Sequence, residues 1–284
     1  MAELFTPNVL IALAITVGAG LATVIGSFLV VFARHTNTRL LAFGLAFAAG
    51  AMVYVSLVEI FVKSQHAFMA AMGSDKAAYA LATAWFFAGV ALLLAIDRLV
   101  PNPHASMDSE AVESAVQDPD RPVANVTMVH HHNERVLKRV GLMAALAITA
   151  HNLPEGLATF FATLENPTVG LPLAAAIAIH NIPEGVSIAV PVFYATRSKW
   201  KAILASAGSG LAEPVGALAG YLLLAPFLSD AVFGAVFGVI AGAMVFLSLD
   251  ELLPAARRYA HGHETVYGMV AGMAIIATSL VLFR

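Results

Sequence analysis

His151, Asn152 and Glu155 recur 29 residues later as His180, Asn181 and Glu184, each trio inside the pattern His-Asn-x-Pro-Glu-Gly and each within an apolar run. On a helix, His and Glu stand at i and i+4, and Asn and Glu at i and i+3, so the polar groups of each copy project from one face. Pro154 and Pro183 lack an N–H and displace the bonds to the carbonyls of Ala150 and Ile179. A helix with a spare carbonyl beside a carboxylate, an amide and an imidazole suits a cation. Two carboxylates neutralise one divalent ion. With Glu213, from Ala212-Glu213-Pro214, there are donors enough for two ions bridged by Glu155 and Glu184. Nitrogen and oxygen ligands without sulfur favour Zn²⁺, Fe²⁺, Mn²⁺ or Co²⁺ over Cu⁺, and histidine argues against a dedicated Mg²⁺ or Ca²⁺ cage.

The elements that position these groups follow from composition. Of 284 residues, 60% are hydrophobic and 12% charged, and the mean hydropathy is +0.82, as in an integral membrane protein. There is no cysteine, hence no disulfide framework and no thiolate ligand. A net charge of −3 without a long basic tract argues against nucleic acid as a partner, leaving the metal ion and the lipid bilayer. The first apolar run follows Glu3 without a preceding Lys or Arg and reads as a span, not a cleaved signal.

A bilayer core needs roughly 20 apolar residues per helix. That length predicts an all-α integral membrane protein with eight transmembrane helices, over 8–32, 40–62, 77–99, 138–163, 171–194, 201–224, 230–254 and 264–283. The spans that contain proline can also be read as broken helices. Arg34, Arg39, Arg98, Arg121, Arg135, Lys138, Arg139, Arg197, Lys199, Lys201, Arg257 and Arg258 fall in alternate loops, leaving Lys63, Lys76 and Arg284 on the other side. The positive-inside rule then puts both termini outside and the loop 100–137 in the cytoplasm. That loop carries five acidic residues between 108 and 120 and no apolar periodicity, and it is expected to be a disordered segment within one transmembrane domain, 1–284. It ends in His130, His131 and His132, which either hold a divalent metal weakly or are solvated linker.

Internal repeats organise the spans. Residues 50–59, GAMVYVSLVE, align without a gap with 242–251, GAMVFLSLDE, and 18–26 align with 208–216, sharing three glycines, a leucine and an alanine. The offsets are 192 and 190 residues, and the paired spans run in opposite directions. The expected architecture is therefore a 3+2+3 inverted repeat, with the two His-Asn motifs on the central pair at the midplane, where such folds place substrate. The repeated segments also hold Ser56, Glu59, Asp250 and Glu251, accessory pathway candidates. For Glu59 and Glu251 the competing reading is a buried hydrogen-bonded pair that serves packing alone.

With these residues in place the chain resembles the ZIP (Zrt/Irt-like) family of divalent-metal transporters, nearest to its bacterial zinc-uptake branch. The likeness rests on the paired His-Asn-x-Pro-Glu-Gly motifs, on Ala212-Glu213-Pro214, on eight helices with outer termini and on a His-bearing third loop. It implies one ion on His180, Glu155 and Glu184 and a second on Asn152, Glu155, Asn181, Glu184 and Glu213. His151 matches the first motif position, where it either ligates metal or lines the path. The resemblance further implies import into the cytoplasm across the bacterial inner membrane, with zinc, iron, manganese, cobalt and cadmium as transported ions and no cofactor. A homodimer is left open. The long acidic third loop departs from this branch.

Two other functions compete. An intramembrane zinc-dependent hydrolase would use the same donors to activate water, but His-Glu-x-x-His is absent and no second cluster supplies a general base. A metal sensor built on the His130–His132 loop would need no midplane site. No Walker motif is present, so ATP is not the driver and a secondary transporter is favoured.

Overall fold

The structure, a computed structural model, describes residues 6–32, 38–99, 152–165 and 167–282. Among these residues there is no strand. Helices are α1 (Pro7–Phe32), α2 (Thr38–Val55), α3 (Phe61–Met72), α4 (Asp75–Leu99), α5 (152–165), α6 (Pro167–Thr196), α7 (Lys199–Gly210), α8 (Ala212–Leu224), α9 (Asp230–Leu247), α10 (Leu253–Tyr259) and α11 (Glu264–Leu282). A helix satisfies all its backbone groups internally, which a bilayer requires of any lipid-facing segment. Among the described residues six helical stretches are long and apolar enough to cross a membrane: Pro7–Phe32, Ala42–Met72, Asp75–Ala95, Lys199–Phe227, Asp230–Tyr259 and Glu264–Leu282. The chain is thus a multi-pass membrane protein. Residues 100–151, including His151 and His130–His132, lie outside the described residues.

Two expected spans run on further than apolar length suggested. The second continues through a π-helical turn, Ser56–Ile60, into α3 and ends at Gly73, whose φ of 66° suits a residue without a Cβ. The seventh passes through a second π turn, Ser248–Leu252, into α10. These two turns occupy the same place in the 50–59 and 242–251 repeats. The sixth span is interrupted at Leu211, between α7 and α8. Pro214 explains the break, because it cannot donate to the carbonyl of Gly210.

In lipid there is no hydrophobic drive between helices, so small residues that allow close backbone approach decide which helices pair. Among the described helices other than α5 the most extensive pairings are α2 with α11, α1 with α6, and α4 with α9. The contacts are reciprocal between the repeats. A Cβ on Gly50 would strike the carbonyl of Met269, and one on Gly272 that of Phe47, joining α2 to α11. In the other half Gly242 meets the carbonyl of Phe86 and Gly89 that of Val239, joining α9 to α4. Residues 50 and 47 differ from 242 and 239 by the same 192 positions that separate the aligned repeats. In the centre Gly20 of α1 and Gly210 of α7 approach each other's carbonyl, a reciprocal contact between positions 190 apart.

Candidate metal centre

Glu155 lies on α5, His180, Asn181 and Glu184 on α6, and Glu213 in the first turn of α8 just past the break. α6 remains one continuous helix across Pro183, so the motif keeps the helical spacing that aligns its polar groups. Ligand atoms of Glu155, His180 and Glu184 all lie within 4.8 Å of one another, and each residue is fully buried. The Nε2 of His180 is 3.1 Å from Oε1 of Glu155. Three carboxylates, those of Glu155, Glu184 and Glu213, and one imidazole are thus fully buried together. Buried charge of one sign is costly unless opposite charge compensates it, and a divalent cation does so.

The two asparagines show how the backbone prepares the site. Asn152 donates its Nδ2 to the carbonyl of Ser209 at 2.9 Å and also faces Ser209 Oγ at 3.3 Å. Asn181 donates its Nδ2 to the carbonyl of Ala19 at 2.9 Å and to Oε1 of Glu213 at 2.5 Å. Ala19 and Ser209 are themselves 190 positions apart, so the repeats hold both amides the same way. Each amide is thereby fixed with its donor spent on protein. Among the described residues Asn152 Oδ1, Asn181 Oδ1, Glu155 Oε2, Glu213 Oε2 and His180 Nδ1 are buried without a hydrogen-bond partner. All five are atoms that accept or ligate when the imidazole nitrogen is unprotonated, and buried acceptors of this kind call for a cation or a donor.

Close helix contacts set this geometry. A Cβ on Gly156, next to Glu155, would strike the carbonyl of Glu213, and one on Gly185, next to Glu184, the carbonyl of Thr23. The motif glycines therefore let α5 press on α8 and α6 press on α1. Of the accessory candidates, Ser56 and Glu59 lie on the first π turn, and Asp250 and Glu251 on the second. Ser56 is buried, Glu59 is 3.9 Å from Lys63, and Asp250 is exposed. Among the described residues none of the four belongs to the metal-ligating group. Ser209 and the carbonyl of Ala19 were not singled out from sequence. The alignment of 18–26 with 208–216 already paired those two positions, and that was the signal available.

Comparison with known proteins points the same way. The family model described as ZIP Zinc transporter matches residues 5–279. A protein named Zinc transporter ZupT from Xanthomonas axonopodis pv. citri is 63% identical over 277 residues, covering 98% of this chain and 96% of the relative. Proteins of the same name from Stenotrophomonas maltophilia (strain K279a) and Neisseria meningitidis serogroup B are 59% and 60% identical over 284 residues, covering the whole of both chains.

Proposed function

The chain belongs to the ZIP family of zinc transporters, which are transporters and not enzymes, and from that premise we propose that it imports zinc into the cytoplasm through the buried Glu155–His180–Glu184 centre. The observation that carries this reading is the convergence of these three ligands within 4.8 Å inside apolar helices, with further unspent acceptors on Asn152, Asn181 and Glu213. His180, Glu155 and Glu184 hold one ion. Asn152, Asn181 and Glu213 join the two glutamates around a second, with His151 at the first motif position. The set of nitrogen and oxygen donors also accepts iron, manganese and cobalt, and the family resemblance adds cadmium.

The architecture that serves this function is eight transmembrane helices in a 3+2+3 inverted repeat, with both termini outside and residues 100–137 as a cytoplasmic loop of one domain. Its support is the reciprocity of the glycine contacts and the basic residues of alternate loops. The membrane is the bacterial inner membrane. Alternating access moves the motif-bearing helices against the rest, exposing the ligands to each side in turn.

Zinc uptake into proteoliposomes tests this assignment. Glu155→Ala and Glu184→Ala are expected to reduce uptake to background while the protein remains folded. Accumulation by either variant at the wild-type rate would show the site to be elsewhere.

A further inference from the structure

We propose that the Thr23 hydroxyl is a neutral oxygen ligand for the transported ion, the counterpart in the first repeat of the Glu213 carboxylate in the second. The inference rests on the transport reading above. Thr23 and Glu213 are 190 positions apart, the offset that relates Ala19 to Ser209 and Gly20 to Gly210. Their backbones do equivalent work, the carbonyl of Thr23 receiving Gly185 and that of Glu213 receiving Gly156. Their side chains also stand alike about the central helix contact. Thr23 Oγ1 lies 3.1 Å from the position of a Cβ on Gly210, and Glu213 Cδ lies 3.4 Å from that of a Cβ on Gly20.

Thr23 and Thr159 depart from the pattern that several other helical threonines follow, each having a buried hydroxyl without a hydrogen-bond partner among the described residues. Thr16, Thr163, Thr196 and Thr278 each donate to the carbonyl four residues earlier, at 2.9, 2.7, 2.7 and 2.8 Å. For Thr23 that acceptor is Ala19, whose carbonyl takes Nδ2 of Asn181 instead. Thr23 Oγ1 is fully buried and has no hydrogen-bond partner among the described residues. The contact that fixes the metal-facing amide is therefore the one that leaves this hydroxyl unspent. A buried hydroxyl without a partner costs stability, and its natural role beside a cation site is to supply oxygen.

Placing a neutral hydroxyl where the two-fold would allow a second Glu213 makes the centre one-sided. The second repeat contributes a carboxylate, Glu213, where the first contributes only the hydroxyl of Thr23. Three carboxylates rather than four then surround the cargo, which limits how tightly a divalent ion is held and so favours its release.

The test uses Thr23→Val, which keeps the shape and removes the oxygen. Melting without metal and with added Zn²⁺ is measured beside uptake of Zn²⁺, Mn²⁺ and Cd²⁺ in proteoliposomes. The expected result is a metal-free melting temperature equal to or above wild type, because an unmet buried hydroxyl has been replaced by a methyl. The zinc-induced rise should shrink, and half-saturating zinc should increase about tenfold, the lower end of what losing a partner at a metal site costs. The increase should be greater for oxygen-preferring Mn²⁺ than for the softer Cd²⁺. A wild-type zinc rise and wild-type half-saturation in Thr23→Val would overturn the proposal. Should the valine variant fail to fold, Thr23→Ser and Thr23→Ala differ by the hydroxyl alone: weaker zinc binding in Ala than in Ser supports the ligand role, and equal binding overturns it. Glu184→Ala, run in parallel, separates the two claims. If it abolishes uptake while the Thr23 variants match wild type, only the Thr23 proposal falls; if it too matches wild type, the site itself falls with it.

Discussion

Replacing Gly20 by alanine adds one methyl group and changes no ligand, yet it should disable transport. A Cβ at Gly20 lands on the carbonyl oxygen of Gly210, a backbone atom that has no rotamer to escape into. An ordinary carbon–oxygen contact is about 3.3 Å, so α1 and α7 must part by about 1 Å. Overpacking of this kind costs about 1–3 kcal/mol, partly offset by roughly 1 kcal/mol of alanine's better helix propensity. The net loss lowers the melting temperature by a few degrees, at roughly 2–4 °C per kcal/mol for a chain near this size. The functional effect is larger. Ala19 and Glu213, the two acceptors of Asn181, sit on opposite sides of the widened contact, so the amide can no longer reach both. A 1 Å displacement of positioned groups costs on the order of a hundredfold in rate. Gly18→Ala and Gly208→Ala are matched controls, because a Cβ at either position has nothing within 4 Å. Both should transport like wild type and melt at the same or a slightly higher temperature. Zinc uptake and thermal melting of the four variants Gly18→Ala, Gly20→Ala, Gly208→Ala and Gly210→Ala decide the matter. If Gly20→Ala and Gly210→Ala behave like their controls, the close contact does not position the site and the reasoning is refuted.

Asn181→Leu should lower metal-free stability by about 1.5–3 kcal/mol, the worth of a hydrogen bond to a charged group, as Glu213 loses its donor; Ala19 then becomes available to Thr23, which limits the damage, and a melt without metal measures it. Zinc at a hundred times its dissociation constant should stabilise the wild type by about 2.7 kcal/mol and leave Glu184→Ala unmoved, so equal zinc shifts in the two would contradict the site. Alanine at His130, His131 and His132 together should leave half-saturating zinc within about twofold of wild type, since the proposed ligands converge from 152–213; a complete loss of uptake would instead make the loop part of the path.

Local pattern reached far in this chain because its chemistry is local. The spacing of His180, Asn181 and Glu184 puts three candidate ligands on one helical face whatever the surroundings, and apolar length alone marks helices in a bilayer, where unpaired backbone is too costly to tolerate. The repeats were visible as aligned glycines. Less was visible where a helix changes its winding. Nothing in apolar length says that a span passes through the π turns Ser56–Ile60 and Ser248–Leu252 and so extends to Met72 or Tyr259, since a lipid-facing helix and a longer one are equally apolar.

Sequence by itself determined the inventory: which residues can ligate a cation, on which helices, and that they come as two related copies. Only the tertiary structure decided which atoms of those residues remain available. Asn152 and Asn181 are symmetric in sequence and ambiguous in chemistry until the carbonyls of Ser209 and Ala19 take their amide protons and leave both oxygens unspent. Thr23 looks like any helical threonine until that same carbonyl of Ala19 is seen to be engaged by a helix more than 150 residues away. A hydrogen bond is a claim on one particular partner, and which partner is in reach depends on how closely the helices approach, which here the glycines at 20 and 210 set.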